Sequence, residues 1–281
     1  MTYSGRAPRD AAMSDREFDQ LSKIIYAFSG IVIGPEKRSL MLARLQKRVS
    51  ALKLSSLADY VELLNGLSGA AERNMFVSSL TTNVTSFFRE RHHFRMLTAE
   101  IIPSLAEPDR SIDIWSAGCS SGQEPYSIAM SLRERCADAA ARTRILATDI
   151  DARVLEAAKT GIFKFSELSA LPADLRSRYF SACTATDQTD KMRVAPVLAS
   201  MIEFRQLNLN SQWKNARLFD VIFFRNVAIY FDAATQRALW YRFHACLRPG
   251  GWLLIGHSER VPADMHDLLV PAGITAYRKP Q

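Results

Sequence analysis

No run of eighteen or more apolar residues occurs in this 281-residue chain, so a membrane-spanning helix and membrane insertion are not expected. The N-terminal stretch MTYSGRAPRDAAMSDREF has no apolar core of the kind a secretory signal needs, and residues 1–13 read as a loose leader. Cysteine is scarce. Cys119, Cys136, Cys183 and Cys246 form no CxxC pair and have no histidine at ligand spacing. That argues against a zinc centre or a disulfide framework and predicts reduced thiols in a cytoplasmic protein. Internal repeats and low-complexity tracts are absent. What is there is ordinary globular material, 48% hydrophobic and 23% charged, long enough for one large domain or two modest ones. The net charge is +7, and residues 1–95 hold 14 Lys or Arg against 9 Asp or Glu, so most of the excess sits there. A basic region suits an acidic partner, whether nucleic acid, an anionic membrane surface or an acidic protein face; a plain solvated surface reads the same way.

Up to about residue 100 the pattern is helical. In SDREFDQLSKIIYAFSG, Ser14 and Glu17 form a capping box and Gly30 is the stop. In PEKRSLMLARLQKRVSALK, Pro35 opens the helix and Leu42, Leu45, Val49 and Leu52 share a predicted apolar face, with Lys37, Arg44, Lys47 and Arg48 opposite. SLADYVELLNG, capped by Ser56 and stopped by Gly66, is a third helix, and AAERNMFVSSLTTN a fourth. These predict a helical N-terminal domain over residues 14–95. From about residue 110 short apolar strands alternate with helices: SIDIWSA, RILATDID, LFDVIFFRN, WLLIGHSE and AGITAYRKP as strands, with helices between them. Such alternation predicts a mostly parallel sheet covered on both faces, over residues 96–281. The stretch KMRVAPVLASMIEFRQL breaks the rhythm and is expected to form a small antiparallel subdomain inserted at about 178–206.

The sequence IDIWSAGCSSGQEPYS enters a glycine turn from a strand and leaves it into a helix. Gly118 and Gly122 let the backbone approach a ligand, but the spacing is G-x-x-x-G, with no Lys-Ser/Thr after it. That excludes a phosphate-binding P-loop. A dinucleotide is disfavoured as well, because its pyrophosphate would face Glu124 at the helix start. The next strand ends at Asp149, where an acid can take a ribose diol, and Asp151 is left to cap the following helix. A ribose acid beside a turn without phosphate chemistry points to a nucleoside carrying positive charge: S-adenosyl-L-methionine.

Five ordered blocks make the resemblance specific. LTTNVTSFFRE (80–90), IWSAGCSSGQEPYSIAM (114–130), LATDID (146–151), FDVIFFRNVAIYFD (219–232) and LRPGGWLLIGHSE (247–259) resemble the motifs of CheR-type chemoreceptor glutamate methyltransferases, from about residue 15 to 278. The resemblance implies an α/β fold: a Rossmann-like S-adenosylmethionine methyltransferase sheet with an N-terminal helical domain and a small inserted antiparallel β subdomain. It places cofactor contacts on Asn83, Thr85, Arg89, Glu124, Asp149, Asn208, Leu209, Asn226 and Val227, and a catalytic pair on Arg89 and Tyr230. Gln123, Phe224 and Ala228 depart from the family's usual residues. The loop SACTATDQTDKM (181–192) lacks the Gly-Pro character of members that dock on a receptor tail peptide, so such tethering is not expected.

The implied reaction is O-methylation of glutamate, with S-adenosyl-L-homocysteine as product. A side-chain carboxylate is already ionised at neutral pH, so no general base is required; Arg89 could orient it by a two-pronged bond or hold the cofactor's carboxylate, and Tyr230 could donate a hydrogen bond near the attacking oxygen. The basic face of Lys37, Arg44, Lys47 and Arg48 is expected to meet the Glu-rich methylation helices of a receptor. Two other readings compete: a nucleic-acid methyltransferase, against which FRNVAIYF lacks the prolines of a flipped-base motif, and a non-catalytic adaptor that only binds the cofactor. Adjacent His92 and His93 do not share a helix face as metal ligands and read as helix surface. GHSE (256–259) lacks a nucleophile elbow and reads as a strand-end turn lining the substrate cleft. Trp115 and Trp213 read as packing.

Overall fold

A computed structural model of the chain describes residues 12–105, 110–183, 190–213 and 217–281. Most of the leader and the centre of the 181–192 loop lie outside them. The chain divides into two compact units at Thr81/Thr82. That is earlier than the boundary the sequence predicts near residue 95: the segment 82–95 belongs with the sheet because its side chains bond to strand ends, as set out below. Among the described residues no helix is long and apolar enough to cross a membrane.

Among the described residues the first unit holds four α-helices, α1 (Asp15–Ser29), α2 (Arg38–Ala51), α3 (Leu57–Asn65) and α4 (Ala70–Leu80). The predicted caps are in place. Ser14 and Glu17 satisfy each other's backbone N–H groups, and Gly30 closes α1 in the left-handed region at φ 75°. Ser56 caps α3 by accepting from Asp59 N at 3.1 Å. Pro35 opens a short 3-10 turn ahead of α2. The buried stripe of α2 is Met41 and Leu45, one turn apart, whereas Leu52 is 37% exposed and Leu42 and Val49 are half-buried. The predicted face was therefore rotated: Leu45 is shared, and Met41 replaces Leu42 on it. The basic face is also corrected. Arg48 grips Glu72 with two hydrogen bonds of 2.9 and 2.6 Å, and Tyr60 donates to the same carboxylate at 2.7 Å. Arg44 donates to the carbonyls of Leu80 and Thr81 at the end of α4, at 2.9 and 3.1 Å. Only Lys37 and Lys47 of the four predicted cations are exposed.

The second unit is built on a seven-stranded sheet. Its strands are β1 (Ile112–Ala117), β2 (Thr143–Asp149), β6 (Ile202–Gln206), β7 (Phe219–Phe224), β8 (Leu247–Ile255), β9 (Val270–Gly273) and β10 (Ala276–Arg278). The order is β6-β2-β1-β7-β8-β10-β9. The first five strands are parallel, and β10 runs antiparallel between β8 and β9. Helices α5 (Arg91–Met96), α6 (Gln123–Arg135), α7 (Ala152–Thr160), α8 (Ala173–Tyr179) and α9 (Ala233–Cys246) belong to this unit. β1 and β7 are buried along their whole length, so they read as continuous apolar runs. Alternate residues still serve different cores. Ile114, Val221, Phe223 and Leu254 pack with Tyr126 and Met130 of α6. Trp115, Ile222, Phe224 and Leu253 pack with Trp240 and Phe243 of α9. Trp115 stacks among Trp213, Phe219 and Phe243, in the packing role expected of it.

Two strand expectations change. The small antiparallel sheet is β3 (Ile162–Lys164), β5 (Lys191–Val194) and β4 (Phe180–Ala182), in the order β3-β5-β4. The stretch after Pro196 leaves it: Pro196 starts a four-residue helix, and β6 joins the main sheet parallel to β2. AGITAYRKP is not one strand but the turn and second arm of a hairpin, with Thr275 at φ 52°.

Candidate functional site

In an open parallel sheet the carboxyl ends of the strands are where a ligand is held. Five strands end here at one rim. After β1 the chain turns through Gly118 (φ 93°), Ser120 (φ 50°) and Gly122 (φ 95°) before α6. A Cβ on Gly118 would lie 2.4 Å from Val227 Cγ2, so glycine is required both by conformation and by the approach of the turn after β7.

Asp149 ends β2. Its Oδ2 accepts from Ser120 N at 2.8 Å and its Oδ1 from Asp151 N at 2.9 Å. These bonds fix the carboxylate, and each oxygen keeps a second lone pair. Asp151 caps α7 by accepting from Arg153 N at 3.0 Å, as the sequence predicts, and also accepts from Asn83 Nδ2 at 2.9 Å. The carbonyl of Asn83 accepts from Ser120 Oγ at 2.9 Å. Asn83 thus ties the 82–90 segment to the rim, and Thr85 follows it half-buried. Leu207 N donates to the carbonyl of Asp149 at 2.9 Å, which brings Asn208 and buried Leu209 directly after β6. Asn208 Oδ1 accepts from Asn210 N at 2.9 Å in a tight turn.

Glu124, in the first turn of α6, accepts from Ser116 Oγ at 2.7 Å and from Arg225 Nη1 at 3.2 Å. Arg225 was not singled out by the sequence, yet it is the centre of this side of the rim. It is 5% exposed, pairs with Glu90 Oε2 at 3.3 Å and donates to the carbonyl of Arg89. Its guanidinium also stacks over the Phe94 ring at 5.4 Å. Glu90, a non-glycine residue at φ 56°, further meets Asn226 Nδ2 at 3.3 Å and His257 Nδ1 at 2.9 Å. His93 is fully buried, with Nε2 2.9 Å from Thr275 Oγ1, so the expectation of a surface histidine fails for it.

The charges at the rim are shifted in a consistent way. Burial pushes the Glu124 and Asp149 carboxyls up, opposed by Arg225 and Ser116 at Glu124 and by backbone N–H groups at Asp149. Burial, then the charges of Asp149 and Glu124, push the Cys119 thiol up. Burial would raise Glu90 too, but His257, Arg225 and Asn226 outweigh it and hold its carboxyl at about 2. Burial, then Arg225 and His92, hold His93 down at about 3. A cationic group at this rim would relieve the cost that burial places on Glu124 and Asp149. A phosphate would meet Glu124 and Asp149 instead. The residues therefore fit a positively charged adenosyl group and not a pyrophosphate.

The side chains of the remaining predicted pair both reach the short stretch 82–84. Arg89 Nη1 donates to the carbonyl of Val84 at 3.2 Å, and Tyr230 Oη to the carbonyl of Thr82 at 3.4 Å. A separate groove of about 460 Å³, lined by Phe88, Phe94, Met130 and Leu175 with Arg91 and Arg95 among its walls, contains none of the predicted residues. Among the described residues no His, Cys, Asp and Glu group could hold a metal ion.

A family model described as "CheR methyltransferase, SAM binding domain" matches residues 83–277. A second, "CheR methyltransferase, all-alpha domain", matches residues 16–81. A probable chemotaxis protein methyltransferase of Rhizobium etli is 42% identical over 259 residues, covering 91% of this chain and 96% of its own length. Chemotaxis protein methyltransferase 2 of Pseudomonas aeruginosa is 40% identical, covering 93% of this chain and 92% of its own. The chemotaxis protein methyltransferase of Escherichia coli is 41% identical, covering 88% and 85%.

Proposed function

This chain belongs to the CheR methyltransferase family, and from that premise we propose that it methylates glutamate side chains on the cytoplasmic methylation helices of chemoreceptors. The family's cofactor is S-adenosyl-L-methionine, which supplies an electrophilic methyl group on a sulfonium and leaves as S-adenosyl-L-homocysteine. The residues assigned to hold it are Asn83, Thr85, Arg89, Glu124, Asp149, Asn208, Leu209, Asn226 and Val227. Asp149 takes the ribose diol, and Glu124 favours the cationic end.

The observation that carries the choice of acceptor is the anchoring of Arg89 and Tyr230 on Val84 and Thr82. Far apart in the chain, they offer a guanidinium and a phenol at one mouth. A guanidinium orients a carboxylate by two parallel hydrogen bonds. A phenol can donate one more and cannot act as a base at neutral pH. The pair suits an acceptor that arrives already ionised. His93 is fully buried, so its ring is not presented to an alcohol or amine acceptor. The mouth carries exposed apolar side chains as well, Val84 at 79% and Ile229 at 52%, suited to the body of an amphipathic helix. Lys37 and Lys47, rather than all four predicted cations, are left to steer acidic receptor helices.

The test is incubation of the purified protein with methyl-labelled cofactor and either a receptor cytoplasmic fragment or RNA. Label on the receptor fragment that mild base releases as methanol supports the proposal. Base-stable label on RNA, or cofactor binding without transfer to either, contradicts it.

A further inference from the structure

The turn after β7 carries Asn226, Val227 and Tyr230, and something must hold it. Asn226 is a non-glycine residue at φ 60°. Val227 follows at φ −120°, ψ −37°, and Ala228 opens a 3-10 turn that ends at Tyr230. Backbone in this order turns successive N–H groups toward one side and makes a concave anion nest. In this protein the nest is filled by an internal carboxylate. Glu259 Oε1 accepts from Val227 N at 2.8 Å and Ala228 N at 2.7 Å, and Oε2 from Asn226 N at 3.0 Å and Gly256 N at 2.5 Å. Four backbone donors converge on one side chain that is 3% exposed. The turns after β7 and β8 also touch: a Cβ on Gly256 would lie 2.8 Å from Asn226 N.

We infer that Glu259 is a positioning residue for the cofactor turn. It acts through the backbone: it holds Asn226 and Val227 in place and, through the 3-10 turn, sets where the Tyr230 hydroxyl lies. A nest left open would recruit an outside anion. Filled from within, this nest offers no open cradle to a phosphate, which fits the acid-rich character of the opposite turn. The inference depends on the cofactor and not on the identity of the methyl acceptor.

The test uses Glu259→Gln in the full chain, read by calorimetry with S-adenosyl-L-homocysteine. Glutamine keeps one acceptor oxygen but sets an NH₂ group against N–H donors, so the predicted Kd rises by at least about tenfold. The amide resonances of Asn226, Val227 and Ala228 should move as well. Glu72→Gln breaks a comparably buried carboxylate network in the helical unit. It should lower the melting temperature with Kd within about twofold of wild type. Should Glu259→Gln not fold, Glu259→Asp decides: the charge is kept, the reach is shortened by one methylene, and Kd should still weaken by several-fold. A folded Gln variant, or failing that the Asp variant, that is less stable but binds with wild-type affinity overturns the inference. No acceptor is present, so a wrong acceptor assignment leaves the result untouched.

Discussion

The two ends of the central sheet treat buried acids differently. At the amino ends of β1 and β7, Asp113 and Asp220 are surrounded by guanidinium groups. Asp113 meets Arg144, Arg217 and Arg248, and Asp220 meets Arg110 and Arg248. At the carboxyl ends Glu90 and Glu124 share the single guanidinium of Arg225. Asp149 and Glu259 there are met by backbone N–H groups. One end is an ion-paired seam, closed on itself. The other holds more acid than cation, a balance that a positive ligand would offset. The same residue type is ion-paired at one end and, on the function proposed above, binds the cofactor at the other, and what separates them is the number of cations within reach.

Asp149→Ala should break that contrast most severely. It removes the proposed partner of the ribose diol and frees Ser120 N and Asp151 N, so the Kd for S-adenosyl-L-homocysteine should rise on the order of 100-fold, measured by calorimetry. Asp113→Ala is the mirror experiment. Arg144 and Arg217 lose their carboxylate and Arg248 keeps only Asp220, which should cost about 2 kcal/mol in denaturant unfolding, while cofactor affinity stays within about twofold. Equal loss of binding in both variants would erase the distinction.

Tyr230→Phe removes a donor at the mouth without touching either acid cluster. The turnover number should fall by about tenfold, with homocysteine-product affinity unchanged, in a receptor-fragment assay.

The fourth effect is in the pH profile. Burial and Arg225 hold His93 near 3 against an ordinary 6.5. Below about 6.5 the unfolded chain therefore takes up a proton that the folded chain refuses, and stability falls as pH falls. Glu90, held at about 2 against an ordinary 4.5, contributes stability that is present above about 4.5 and lost as pH drops toward 2. The two windows overlap between about 4.5 and 3, and His93 acts alone above that. His93→Gln should remove the slope of about 1 kcal/mol per pH unit between about pH 6 and 4.5 and leave below it only the part of the loss that Glu90 supplies. Equilibrium unfolding at a series of pH values reads this directly. A slope unchanged by the substitution would mean His93 titrates normally.

The smallest effect belongs to the helical unit. Lys37→Glu with Lys47→Glu should raise the receptor KM by only a few-fold, more at low salt, with cofactor affinity unchanged. Arg44→Glu would not be a clean probe, because Arg44 bonds the end of α4.

Local features were legible in the sequence because local chemistry sets them. Ser14, Glu17 and Gly30 bound α1, Asp151 caps α7, and Gly161 ends it in the left-handed region. Asp149 and Asn226 sit at strand ends, where an apolar run followed by a polar residue is a readable signal; Asn83, Thr85 and Arg89, in a segment without strand, are implied only by the family resemblance. What escaped is what depends on distant partners. Arg225 directly follows DVIFF, but only Glu90 and Glu124, 135 and 101 positions away, make sense of a charge there. Glu259 looked like part of a strand-end turn, since backbone amides leave no mark in a sequence. His93 looked like helix surface, since nothing local shows Thr275 and Arg225 around it. The sequence alone places β6 in the small sheet, because alternation on a half-exposed edge strand reads alike in parallel and antiparallel settings.

If the acid-rich carboxyl rim holds the cofactor, an amide-resolved titration of the folded chain with S-adenosyl-L-homocysteine shows it. Saturable shifts are expected at Ser120, Asp151, Val227 and Ala228, and none at Met41, Leu45 and Tyr60 in the helical unit or at Asp113 and Asp220 at the opposite strand ends. Shifts at the Asp113–Asp220 end, or no shift anywhere, would contradict it.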